Sequence, residues 1–159
     1  MRRALAVLVV LITTSVMMTI SAAAQNKAAV DSVSVHLFLD KSGTLSNDIT
    51  AIPNFSTWNF VADGAGIPSD EHFHSILIKV RVTAPGEHYA KGLLATVTLT
   101  NRETRKIVKR KRLENIYIGS EGAVFAAVFV DDAACGPFDL VVSGGGKRIA
   151  KSLEIKCGE

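Results

Sequence analysis

Two cysteines do most to limit how this chain can fold. Cys135 and Cys157 are its only cysteines, and GPFDLVVSGGGKRIAKSLEIK lies between them. Two strand-like halves meet at Gly144-Gly145-Gly146, where a tight turn needs the positive φ that glycine adopts freely. A hairpin closed there sets the cysteines opposite or nearly opposite each other, at the Cα spacing of about 5.5 Å that a disulfide requires. No Cys-x-x-Cys motif is present, so the expected bond is structural. Closing a loop of about 22 residues contributes roughly 3 kcal/mol on the chain-entropy model. GAVFAAVFV and the corner DDAACGP come immediately before. Together they predict three consecutive strands from Gly122 to Cys157, with the rest of the chain packed around them. Val124–Val130 is apolar on both faces, which predicts a central strand.

The N-terminus reads as a secretory signal. Met1-Arg2-Arg3 is basic, Ala4 to Ile20 is apolar apart from Thr13, Thr14, Ser15 and Thr19, and Ser21-Ala22-Ala23-Ala24 offers the small residues that signal peptidase needs. The expected organisation is a signal peptide at 1–24 and a single domain at 25–159. A retained anchor is the alternative, since Ala4 to Ala24 is long enough to span a bilayer. Cleavage at the small-residue run leaves no stable membrane span. No cysteine follows the apolar region, so a lipoprotein anchor is not expected. The mature protein is expected to be secreted, and periplasmic if the source is bacterial, where thiols oxidise. Loss of Arg2 and Arg3 from a total of 18 basic residues leaves 16 against 15 acidic ones, or +1. The basic balance of the whole chain therefore says little about nucleic acid, which is not an expected partner.

Along the mature chain, Gln25 to Asp31 reads as a loose leader. Val33, Val35, Leu37 and Leu39 then alternate with Ser34, His36, Phe38 and Asp40, the period-two pattern of a strand. Periodicity is lost over the 25 residues 45–69, a long irregular connection for a compact domain. Ile49, Ile52, Phe55, Trp58 and Phe60 are its expected tethers, with a short strand near the tryptophan. Ile76, Ile78, Val80 and Val82 form the clearest inward row. Leu93, Ala95, Val97 and Leu99 form another, with threonines outward. Ile107 to Ile118 returns as a further strand. No apolar stripe of helical period and length follows the signal.

These features predict an all-β protein. The expected fold is an immunoglobulin-like antiparallel β-sandwich of about seven strands, resembling immunoglobulin and fibronectin modules in general outline. The cysteines clip one hairpin and lack the long separation of an antibody-type bridge, so the likeness is one of architecture.

Three groups of residues merit weighing as sites. Leu37-Phe38-Leu39-Asp40-Lys41-Ser42-Gly43-Thr44 resembles the phosphorylation loop of cation-pumping ATPases in the haloacid dehalogenase superfamily. That resemblance implies Asp40 as nucleophile and Thr44 as a phosphate ligand, with Val128 to Asp132 imitating the later acidic motif. Ser42 departs from the pattern. The superfamily also needs parallel strands joined by crossover helices, and no helical segment is available, so Asp-Lys-Ser-Gly reads as a turn. Asp70, His72 and His74 form the second group, in which imidazoles two apart would bind a transition metal, with His36 or His88 as further donors. The same parity as Ile76 places both histidines at the end of the core-facing row, where they equally serve as rim residues.

The third group is Arg105, Lys106, Lys109, Arg110, Lys111 and Arg112, six basic residues among eight. A strand charged on both faces belongs at a sheet edge, where lysines deter pairing with another chain. The same charges suit an anionic partner. No catalytic residues and no cofactor are nominated. The expected role is a non-enzymatic binding or structural module of the cell envelope, with an unknown protein, glycan or envelope component as partner. The alternative is a periplasmic transition-metal-binding protein using His72 and His74.

Overall fold

The computed structural model describes residues 28–53, 55–58, 61–63, 67–131 and 135–156. The expected signal peptide at 1–24 therefore lies outside the described residues, as does Cys157.

Among the described residues ten strands follow in order: β1 (Ala29–Leu39), β2 (Thr44–Leu45), β3 (Ser56–Trp58), β4 (Val61–Asp63), β5 (Phe73–Thr83), β6 (His88–Asn101), β7 (Ile107–Ile118), β8 (Ala123–Val130), β9 (Gly136–Gly144) and β10 (Lys147–Ile155). A short 3₁₀ turn, η1, spans Ile49–Ala51. The first sheet has the order β2-β1-β5-β8 and the second β10-β9-β6-β7. Each strand pairing is antiparallel. Seven long strands thus make an immunoglobulin-like Greek-key sandwich, and the stub β2 and the β3–β4 hairpin are additions to it.

The core is the meeting of two inner faces. Val33, Val35, Leu37 and Leu39 of β1 and Ile76, Ile78, Val80 and Val82 of β5 are buried on one side. Ala95, Val97 and Leu99 of β6 and Phe138, Leu140 and Val142 of β9 are buried on the other. Each large side chain removed from water here contributes about 1.5–3 kcal/mol. That explains why the alternating rows, more than any local propensity, define the strands.

Several expectations need correction. Ala28 and Val30 are buried and Ala29 pairs with Thr83, so the expected loose leader already contains the start of β1. Leu93 is 53% exposed. Register shifts between Ala90 and Leu93, and again between Leu93 and Ala95, take it out of the inward row. Asn115, with φ of 53°, sits at the same irregularity and accepts a hydrogen bond from the Gly92 amide at 3.0 Å. The Val124–Val130 strand is not central: β8 closes one end of the first sheet. Its outward Phe125 and Phe129 are 59% and 40% exposed.

Part of 45–69 is built rather than irregular. Asp48 caps η1, its Oδ1 accepting from the Thr50 amide, the Thr50 hydroxyl and the Val35 amide at 3.1, 2.8 and 2.9 Å. Ile49 is buried, and Ile52 and Phe55 pack against the core. Thr57 of β3 is buried and its hydroxyl bonds both the N–H and C=O of Lys156, which docks this segment on the end of β10.

The β9–β10 hairpin pairs Gly144 with Lys147 and Gly136 with Ile155. Gly145 and Gly146 form the two-residue turn, with φ of 57° and 78°, values that glycine adopts without penalty. Cys135 lies just before β9, and the expected disulfide partner, Cys157, lies outside the described residues.

Candidate functional site

β7 lies at the outer edge of the second sheet, where its charge pattern places it. The turn that launches it is fixed by Asn101, whose Oδ1 accepts from the Thr104 amide and hydroxyl at 2.8 and 3.1 Å. Arg105 then adopts a φ of 58°, and the Asn101 amide bonds the Lys106 carbonyl at 2.9 Å. Arg105 and Lys106 are exposed at this end.

Register sorts the remaining cations between two faces. Lys109 pairs with Leu99 and Lys111 with Val97, both buried, so these lysines share the inner face of the sheet. Arg110 pairs with Thr98 and Arg112 with Thr96, on the outer face. Arg112 is held by Glu114 at 2.5 Å. Among the described residues no ion pair engages Arg105, Lys106, Lys109, Arg110 or Lys111. The arrangement is a strip of uncompensated cations with threonine hydroxyls beside the arginines. It offers charge and hydrogen-bond donors to an extended anion.

The histidine group is built differently from its expectation. Phe73, not a histidine, occupies the core-facing position and is fully buried, while His72 and His74 are exposed. A register shift between Phe38 and Leu39 of β1, opposite Ser75 and Phe73, inserts an extra residue and reverses the side-chain parity before Ile76. Asp70 turns to Lys41, and that hydrogen bond lowers the Asp70 pKa and raises that of Lys41. His74 pairs with Asp40. His36 bonds the Ser46 carbonyl at 2.8 Å and the Ser34 hydroxyl at 2.9 Å, and His88 lies on the other sheet. Among the described residues no group of three or more histidine, cysteine, aspartate or glutamate side chains is placed to hold a metal ion.

The loop resembling a phosphorylation motif is a hairpin turn between β1 and β2. The Gly43 amide bonds the Leu39 carbonyl at 2.8 Å, with Gly43 at φ of 66°. Glu71, only 4% exposed, braces it by accepting from the Lys41 and Ser42 amides at 3.2 and 3.4 Å.

Sequence reasoning missed that β8 is an edge strand, paired among the described residues with β5 alone. Its signal is an uncharged run containing two phenylalanines, a pattern that also fits the centre of a sheet. On the outer face Phe129 meets Phe38 edge-on at 6.1 Å, and the Lys79 ammonium lies 5.0 Å from the Phe125 ring centre.

No family model matches the sequence, and no curated protein matches it. The structure is similar to the crystal structure of an immunoglobulin-like protein from Pseudomonas aeruginosa. The identity is 8%, the match covers 84% of this chain and 99% of that one, and the TM-score is 0.44. The fold described above rests on strand order and register, not on this likeness.

Proposed function

We propose that this chain is an exported, non-enzymatic β-sandwich module that binds an anionic component of the cell envelope through the basic edge. The observation that carries the reading is the run of Lys109, Arg110 and Lys111 on consecutive positions and both faces of β7, none of them in an ion pair among the described residues. Edge protection accounts for one or two inward lysines. It does not require arginines on the outer face or cations in the preceding turn.

Export is part of the reading and is supported by the basic, apolar and small-residue pattern of the first 24 residues. A disulfide between Cys135 and Cys157 belongs to it as well. Intact mass of the mature protein, measured before and after reduction, tests both features.

The functional test is sedimentation with envelope fractions, comparing the mature protein with the double variant Lys109→Glu/Lys111→Glu. Salt-sensitive co-sedimentation that the variant loses supports the reading. Equal behaviour of the two proteins removes the basic edge from it.

A further inference from the structure

The four lateral edges of the sandwich are treated unequally. Along β1, the loop after β2 consumes outward backbone groups: the Leu37 amide bonds Ser46 Oγ at 2.9 Å, the Leu37 carbonyl takes the Ser46 amide at 3.0 Å, and Asp48 takes the Val35 amide. β10 presents Lys147 and Lys151 on the inward row opposite Gly144 and Leu140. Lys147 also donates to the Asp31 carbonyl at 2.7 Å, closing the β1–β10 side. β7 carries the inward Lys109 and Lys111. Among the described residues only β8 has no such device: Ala123–Val130 holds no charge, proline or glycine. Among the described residues its hydrogen bonds are those of the β5 ladder alone.

An uncharged edge strand is a template for another strand. The chemistry on either side specifies what that strand would carry. β7 and β8 lie on the same side of the sandwich, joined by the short corner at Gly119–Gly122, where the Ala84 amide bonds the Gly122 carbonyl at 3.0 Å. Lys111 and Val130 lie equally far from that corner along their strands. A strand added to β8 would therefore direct alternate side chains toward Lys109 and Lys111, and the others over Phe125 and Phe129. A second copy of this chain meets the wrong charges, because pairing β8 with β8 brings two basic β7 strands together.

We infer that the free edge of β8 accepts an extended polypeptide from a partner, with acidic residues facing Lys109 and Lys111 and apolar residues over Phe125 and Phe129. Backbone pairing supplies affinity and the alternation supplies specificity. This inference rests on the proposed anion-binding role of the β7 edge and names the partner's form.

The test uses the oxidised mature protein and a capped octapeptide of alternating glutamate and valine. Its twin is N-methylated at alternate backbone amides, which keeps charge and side chains but cannot pair as a strand. Amide shifts and hydrogen-exchange protection report the site. The expected result is saturable binding, protection confined to Ala123–Val130, at least tenfold weaker binding of the twin, and a comparable loss with Lys109→Glu/Lys111→Glu. Equal binding of peptide and twin overturns the inference, as does binding that leaves β8 amides unchanged. Concentration-dependent dimerisation that protects β8 overturns it in favour of a second copy. Retention of anionic vesicles or acidic polysaccharide without peptide binding overturns strand pairing while the basic-edge reading stands. Failure of every anionic probe removes both.

Discussion

Lys109 stands opposite the buried Leu99 on the inner face of the second sheet. A charged side chain occupies a row otherwise made of leucine, valine and alanine, and Lys111 repeats the arrangement opposite Val97. The row can tolerate this only because β7 is an edge strand whose long side chains reach water. The same two residues therefore blunt the edge and set its charge.

Replacing both with an apolar residue separates these roles. Lys109→Val/Lys111→Val extends the core row to the edge and removes the inward charges. The variant is expected to fold and then to self-associate. Analytical ultracentrifugation over a concentration series checks this, and a monomer at every concentration would show that the lysines are not needed for protection.

Asp48 links the 45–69 segment to the sandwich. One carboxylate oxygen serves two amides and a hydroxyl, capping η1 and satisfying the edge of β1. Asp48→Ala is expected to cost about 1–2 kcal/mol, read as a lower urea midpoint with an unchanged slope. Asp48→Asn, which keeps the acceptor, is expected to cost less.

Gly144 pairs with Ala95 where β9 lies against β6 with no room for a side chain. A Cβ there would lie 2.1 Å from the Leu94 carbonyl oxygen and 2.6 Å from Ala95 Cα. Gly144→Ala must push two paired strands apart, at an expected cost of about 1–3 kcal/mol. Gly146 has open space but a φ of 78°, so Gly146→Asn is expected to cost less than Gly144→Ala. Thermal denaturation of the two variants gives the ranking.

Tyr117 donates to Glu87 at 2.7 Å, which raises the phenol pKa above its ordinary 10.0. The folded state holds this proton more tightly than the unfolded state. Its small contribution is therefore present below the unfolded pKa and is lost as pH rises through the folded one. Both groups are exposed, so stability is a poor readout. Glu87→Ala is expected to move the Tyr117 titration to lower pH, followed by phenolate absorbance, with Tyr117→Phe assigning the signal.

The regular part of this fold was legible because one buried face imposes a period of two. Ile76 to Val82 and Val33 to Leu39 face where their alternation puts them. Register irregularities were not legible, because an inserted residue reverses parity without any marker in composition. The shift before Ile76 put Phe73 where a histidine was expected, and the shifts around Leu93 exposed that residue. The position of β8 is not legible for a different reason. An apolar run on both faces describes a buried strand and an unprotected edge equally well, and only sheet order separates them. In the candidate site, charge identified β7 as an edge, whereas the division into inward lysines and outward arginines required the ladder to β6.

The most direct measurement of the central claim is retention of residues 25–159 on an immobilised acidic polysaccharide across a salt series. A contact made by several cations predicts retention that falls steeply with salt, with Lys109→Glu/Lys111→Glu eluting at markedly lower salt than the parent. Parent and variant eluting together, or no retention of the parent at low salt, would contradict it.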